Sequence, residues 1–70
     1  MDFVVKVRPI GRRLRVKEIE NIASFKIEGD LLTLYTNETE HGVLVHRLKL
    51  CYYDWVEIYY NDKMVVHLDG

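Results

Sequence analysis

The sequence predicts an all-β domain, a small antiparallel barrel or compact sandwich of six or seven short strands built from hairpins. Three observations carry this expectation. Apolar and polar residues alternate with a period of two along almost the whole chain. β-branched and aromatic side chains dominate the alternating runs. Turn signals separate those runs: Pro9-Ile10-Gly11, Gly29-Asp30 and Asn61-Asp62. Closing such a sheet into a barrel would remove its exposed strand edges. No motif selects an SH3-like or an OB-like barrel.

The first strand is expected near Phe3 to Arg8, with Phe3, Val5 and Val7 on one face and Lys6 and Arg8 on the other. Pro9 presets a turn, and Gly11 supplies the left-handed residue of a three-residue hairpin loop. The return strand sets Leu14 and Val16 against Arg13, Arg15 and Lys17. Glu18 to Asn21 reads as a helical turn or an irregular crossover. The next strand carries Ala23, Phe25 and Ile27 on one face. Gly29 suits the first position of a type II′ turn, which pairs Ile27 with Leu32 and Phe25 with Leu34. Asn37 to Gly42 is a polar loop. After it, Leu44, His46, Leu48 and Leu50 share a face, and Val43 and Val45 take the other. The last hairpin runs from Trp55 to Leu68. A three-residue loop at Asn61-Asp62-Lys63 pairs Tyr60 with Met64, Ile58 with Val66 and Val56 with Leu68. A two-residue loop would set Glu57 against Val66, which is worse.

A chain of 70 residues holds a single domain, 1–70. A domain this small buries only about 60% of its unfolded surface. Disulfides, metals or partner subunits often support such cores. Cys51 is the sole cysteine, which excludes an intrachain disulfide and fits a reducing compartment, the cytoplasm. No Cys or His pair has zinc-ligand spacing, so no metal or other cofactor is expected. Self-association is the support that remains. Nothing resembles a signal peptide, and no run approaches the roughly 20 apolar residues of a bilayer span.

Charge is split along the chain. Six of the ten basic residues (Lys6, Arg8, Arg12, Arg13, Arg15 and Lys17) lie in the first seventeen positions with one acid, Asp2, about +5. The remainder holds four bases and ten acids, about −6, so the net charge of −1 conceals the asymmetry. If the Pro-Gly turn forms, Lys6, Arg8, Arg13, Arg15 and Lys17 project from one face of a two-stranded ribbon, with Arg12 at the tip. Such a face suits an acidic protein partner, a neighbouring copy, or a phosphate backbone. A solvated face that protects a sheet edge is the plainer reading. The overall pI near 6.3 weighs against nucleic acid.

Five aromatic residues, Tyr52, Tyr53, Trp55, Tyr59 and Tyr60, fall within nine positions. Alternation puts Tyr60 in the core with Val56 and Ile58, and turns Tyr53, Trp55 and Tyr59 to the opposite face. Such residues suit interface centres. The adjoining Asp54 and Glu57 disfavour stacking against nucleic acid. His46 reads as a core residue, His41 as an exposed loop residue, and His67 as a cross-strand partner of Glu57. No phosphate-binding glycine loop and no catalytic pairing stands out, so no enzyme activity is expected. In its blend of charge and aromatics the chain resembles compact accessory proteins of phage and mobile elements, a likeness that covers no motif. The reading is a small non-catalytic interaction or homo-oligomeric module, with nucleic-acid binding as the alternative.

Overall fold

The computed structural model describes residues 2–11 and 15–69. Six strands form one sheet: β1 (Phe3–Pro9), β2 (Lys17–Glu28), β3 (Leu31–Thr36), β4 (Val45–Lys49), β5 (Tyr53–Tyr60) and β6 (Lys63–Asp69). A short 3-10 turn, Leu50–Tyr52, joins β4 to β5. The strand order is β4-β3-β2-β1-β5-β6, and every neighbouring pair is antiparallel. The domain is therefore all-β, as the alternation predicts. The sheet is open, with β4 and β6 as its edges.

Val5, Val7, Ile22, Leu32, Leu34, Val56 and Ile58 are at most 2% exposed, although no second sheet or α-helix covers them among the described residues. The sheet must cover them itself. A flat six-stranded sheet would be about 24 Å wide and roughly 10 Å thick. The molecule measures 35 × 25 × 24 Å, far too deep for that. The sheet thus curls strongly, with the core on its inner face and Phe3, Ile19, Phe25, Leu48, Leu50, Tyr53, Val66 and Leu68 packed around it.

β2 runs unbroken through the stretch expected to be a turn or crossover. Two irregularities interrupt its ladders. Against β1, Phe3 faces Ile22 while Val5 faces Ile19, so β2 carries one extra residue there. Against β3, Ile22 faces Thr36 while Ser24 faces Tyr35, a second insertion. Asn21 takes φ 63°, a conformation that asparagine tolerates better than most side chains. Each bulge shifts the side-chain phase by one residue and bends the strand. The inward set becomes Ile19, Ile22 and Phe25, spaced by three instead of two. Ile22, not Ala23, fills the core position.

The Gly29-Asp30 turn forms as expected, with Gly29 at φ 58° and Ile27–Leu32 and Phe25–Leu34 paired. The last hairpin also keeps Ile58–Val66 and Val56–Leu68, but through a different loop. Asn61 and Asp62 both have positive φ, 50° and 63°, the signature of a two-residue type I′ turn. Tyr60 then faces Lys63 and Tyr59 faces Met64, and a bulge at Val65 restores the register. Lys63 needs no left-handed conformation in this arrangement. The first hairpin differs most. Pro9 ends β1 beside Tyr53, and the Ile10 amide donates to the Tyr52 carbonyl at 3.0 Å. The chain continues along β5 there instead of turning back. Val7 faces Lys17, so β1 pairs with a strand that begins well after the expected three-residue loop.

Candidate functional site

Among the described residues the expected basic ribbon is not assembled. Directly opposed residues of an antiparallel pair share a face. Lys17 stands opposite Val7 and therefore lies on the inward side, away from Lys6 and Arg8. Arg15 is exposed ahead of β2. Arg12, Arg13 and Leu14 lie outside the described residues. The two cations left on the outer face are opposed by acids. Lys6 faces Glu18 on one side and Glu57 on the other. The Arg8 Nε lies 3.6 Å from an Asp54 carboxylate oxygen. A shallow groove of ≈ 490 Å³ around Lys6 is also lined by Asp2, Glu18, Tyr59 and Asp62. Three carboxylates around one ammonium do not favour a phosphate.

The outer face of β1, β5 and β6 is an ordered polar surface. One cross-strand row reads Glu18, Lys6, Glu57, His67, alternating in sign when His67 is protonated. The next reads Arg8, Trp55, Asp69. The Lys6 Nζ sits 4.6 Å from the Tyr59 ring centroid, a cation–π distance. The Tyr59 hydroxyl donates to Glu57 Oε1 at 2.9 Å. This hydrogen bond, with some loss of solvent, holds the phenol above its usual pKa. His67 is clamped at both ring nitrogens: Nδ1 lies 3.0 Å from Glu57 Oε2 and Nε2 3.0 Å from Asp69 Oδ1. Only imidazolium can donate both bonds, so Glu57 first and Asp69 second raise its pKa. Trp55 and Tyr59 share this face, as alternation predicts. Tyr53 does not, because the bulge where Arg8 and Pro9 meet Trp55 and Tyr53 turns it onto the core.

The edges carry a feature that the sequence reading passed over. Val43 and Leu44 just before β4, and Val45 at its start, are 45–55% exposed, and Met64 and Val65 are about half exposed on β6. Beside β6 lies an open apolar hollow of ≈ 420 Å³, lined by Phe3, Phe25, Tyr60, Val65 and Val66. The Phe3 ring is edge-on to Phe25 at 5.4 Å and tilted on Tyr60 at 5.3 Å. Soluble proteins usually blunt sheet edges with charge, proline or a cover. Here both edges carry charge, Arg47 and Lys49 on β4 and Lys63, His67 and Asp69 on β6, yet each also exposes apolar side chains beside it. The signal was present in the run Met64-Val65-Val66, apolar on both faces, and in Val43 and Val45, apolar but turned from the leucine face.

The remaining candidates are dispersed. Cys51 is exposed, and no group of three potential metal ligands occurs among the described residues. No described helix is long and apolar enough to cross a membrane. No protein-family model, curated protein or solved structure matches this chain.

Proposed function

We propose that this chain is a small non-catalytic interaction module that binds other protein chains by strand addition at the open edges of its sheet. The observation that carries the reading is an open sheet whose two edge strands are both flanked by exposed apolar side chains. An extended partner strand would satisfy the unpaired backbone groups and cover those side chains. It would also supply the closure that a barrel makes within one chain. Trp55 and Tyr59, one strand in from β6, extend the surface that a partner would meet. The lone exposed thiol supports a cytoplasmic setting.

The test is a selection of displayed random peptides against the wild-type protein, repeated with Val45→Lys and Val65→Lys. Lysine on an edge strand discourages pairing without disturbing the core. The reading expects extended peptides whose binding falls sharply in one of these variants and falls less in Trp55→Ala. A wild-type protein that selects no peptide and does not self-associate would refute it. Binding to nucleic acid, the alternative reading, would appear as a salt-sensitive complex with a short duplex, lost in Arg15→Glu with Lys17→Glu.

A further inference from the structure

We infer that the occupant of each open edge is the opposite edge of a second copy, β4 of one chain pairing antiparallel with β6 of the next. The inference rests on the strand-addition reading above and names the partner. Polarity is its first support. Strand directions alternate across the six-strand order, so β4 and β6 run oppositely. A second copy turned so that its β4 lies beside β6 therefore continues the sheet antiparallel, inner face beside inner face.

Charge is the second support. Arg47 and Lys49 alternate on the outer face of β4, are exposed, and take part in none of the ion pairs among the described residues. The outer face at β6 carries Asp69, whose side chain is 83% exposed, with Glu57 on the neighbouring strand. Pairing β4 with β4 would oppose cations, whereas β4 with β6 opposes cation and carboxylate. Register is the third support. Setting Arg47 opposite Asp69 sets Leu48 opposite Leu68, and both leucines lie on the inner face against the core. Lys49 then faces His67, whose imidazolium is already paired with Glu57 and Asp69, so the charge complementarity is carried by Arg47 against Asp69. In this alignment Arg47–Lys49 pair with His67–Asp69, after which the chain leaves β4 through the 3-10 turn Leu50–Tyr52. The contact is heterologous: each copy uses one edge to bind and leaves the other to be bound, which yields a closed ring or a growing chain.

The experiment is sedimentation equilibrium at low salt on three proteins and one mixture. Variant one carries Arg47→Glu and Lys49→Glu, and variant two carries Asp69→Lys. All three positions are exposed, and circular dichroism verifies that each variant folds. Wild type is expected to self-associate. Each variant alone opposes like charges and should associate roughly tenfold more weakly. The equimolar mixture should regain wild-type association, because the reversed β4 of variant one meets the reversed β6 of variant two while the other contact stays wild type. A monomeric wild type, or variants that associate as wild type does, would overturn the inference. So would a mixture no stronger than its components. Peptides selected by wild type and lost in Val45→Lys or Val65→Lys would keep strand addition standing in each of those cases.

Discussion

Replacing Ile22 by alanine tests the most consequential packing feature, the phase shift within β2. Ile22 is fully buried between Phe3 of β1 and Thr36 of β3. The substitution removes three carbons, worth about 2.4 kcal/mol at roughly 0.8 kcal/mol each. The cavity left in a curled single sheet adds to that, so the loss should be about 3–4 kcal/mol, inside the usual range for such truncations. A 70-residue domain is typically stable by about 3.5–10 kcal/mol, so the variant should sit near the edge of folding. Ile27, 40% exposed on the same strand, supplies the control. The same truncation there should cost about 1.5 kcal/mol, because only the buried share of the side chain is lost. Urea denaturation followed by tryptophan fluorescence measures both. Without the bulges, strict alternation from Phe25 and Ile27 would turn Ile22 outward. Equal losses, or a larger loss at Ile27, would therefore refute the two-bulge account.

Asn21→Val should cost about 1–2 kcal/mol, because a β-branched residue is strained at φ 63°, whereas Asn21→Gly should be nearly neutral; thermal melts separate the two. Asp62→Gly should stabilise by up to about 1 kcal/mol, since Asn-Gly is the preferred type I′ pair, and a destabilised variant would contradict that turn. The His67 pKa lies above its ordinary 6.5. The folded state then binds more protons than the unfolded one, so this stabilisation is complete below about pH 6.5 and is lost as pH rises through the folded value. Urea midpoints should fall slightly over that window, and the fall should be absent in His67→Gln.

Much of the strand content was legible because a half-buried strand writes its faces into the sequence with period two. Ile27–Leu32, Phe25–Leu34, Val56–Leu68 and Glu57–His67 all follow from that rule with local turn chemistry. The bulges left no such mark. The polar stretch Glu18-Ile19-Glu20-Asn21 resembles a loop until Asn21 is known to absorb a positive φ and let Ile19 and Ile22 both point inward. One further bulge moved Tyr53 off the aromatic face. The basic ribbon failed for a different reason: it depended on β1 turning back at Pro9, while the pairing that holds Pro9 is with β5, more than forty residues away. Local pattern cannot register a competitor that distant. Trp55 and Tyr59 kept their face because no bulge separates them from Val56 and Ile58.

Placing β1 between β2 and β5 also constrains the order of assembly. Its second partner enters only when the segment from Tyr53 onward is available, with Phe3 meeting Tyr60 across nearly the whole chain. Closing so long a loop is slow compared with zipping a hairpin. During folding, β2, β3 and β4 can pair early through short connections, while β1 keeps one side bare. A folding intermediate in which β5 has not yet docked therefore carries an uncovered apolar strand, the form most prone to aggregate or to recruit a chaperone.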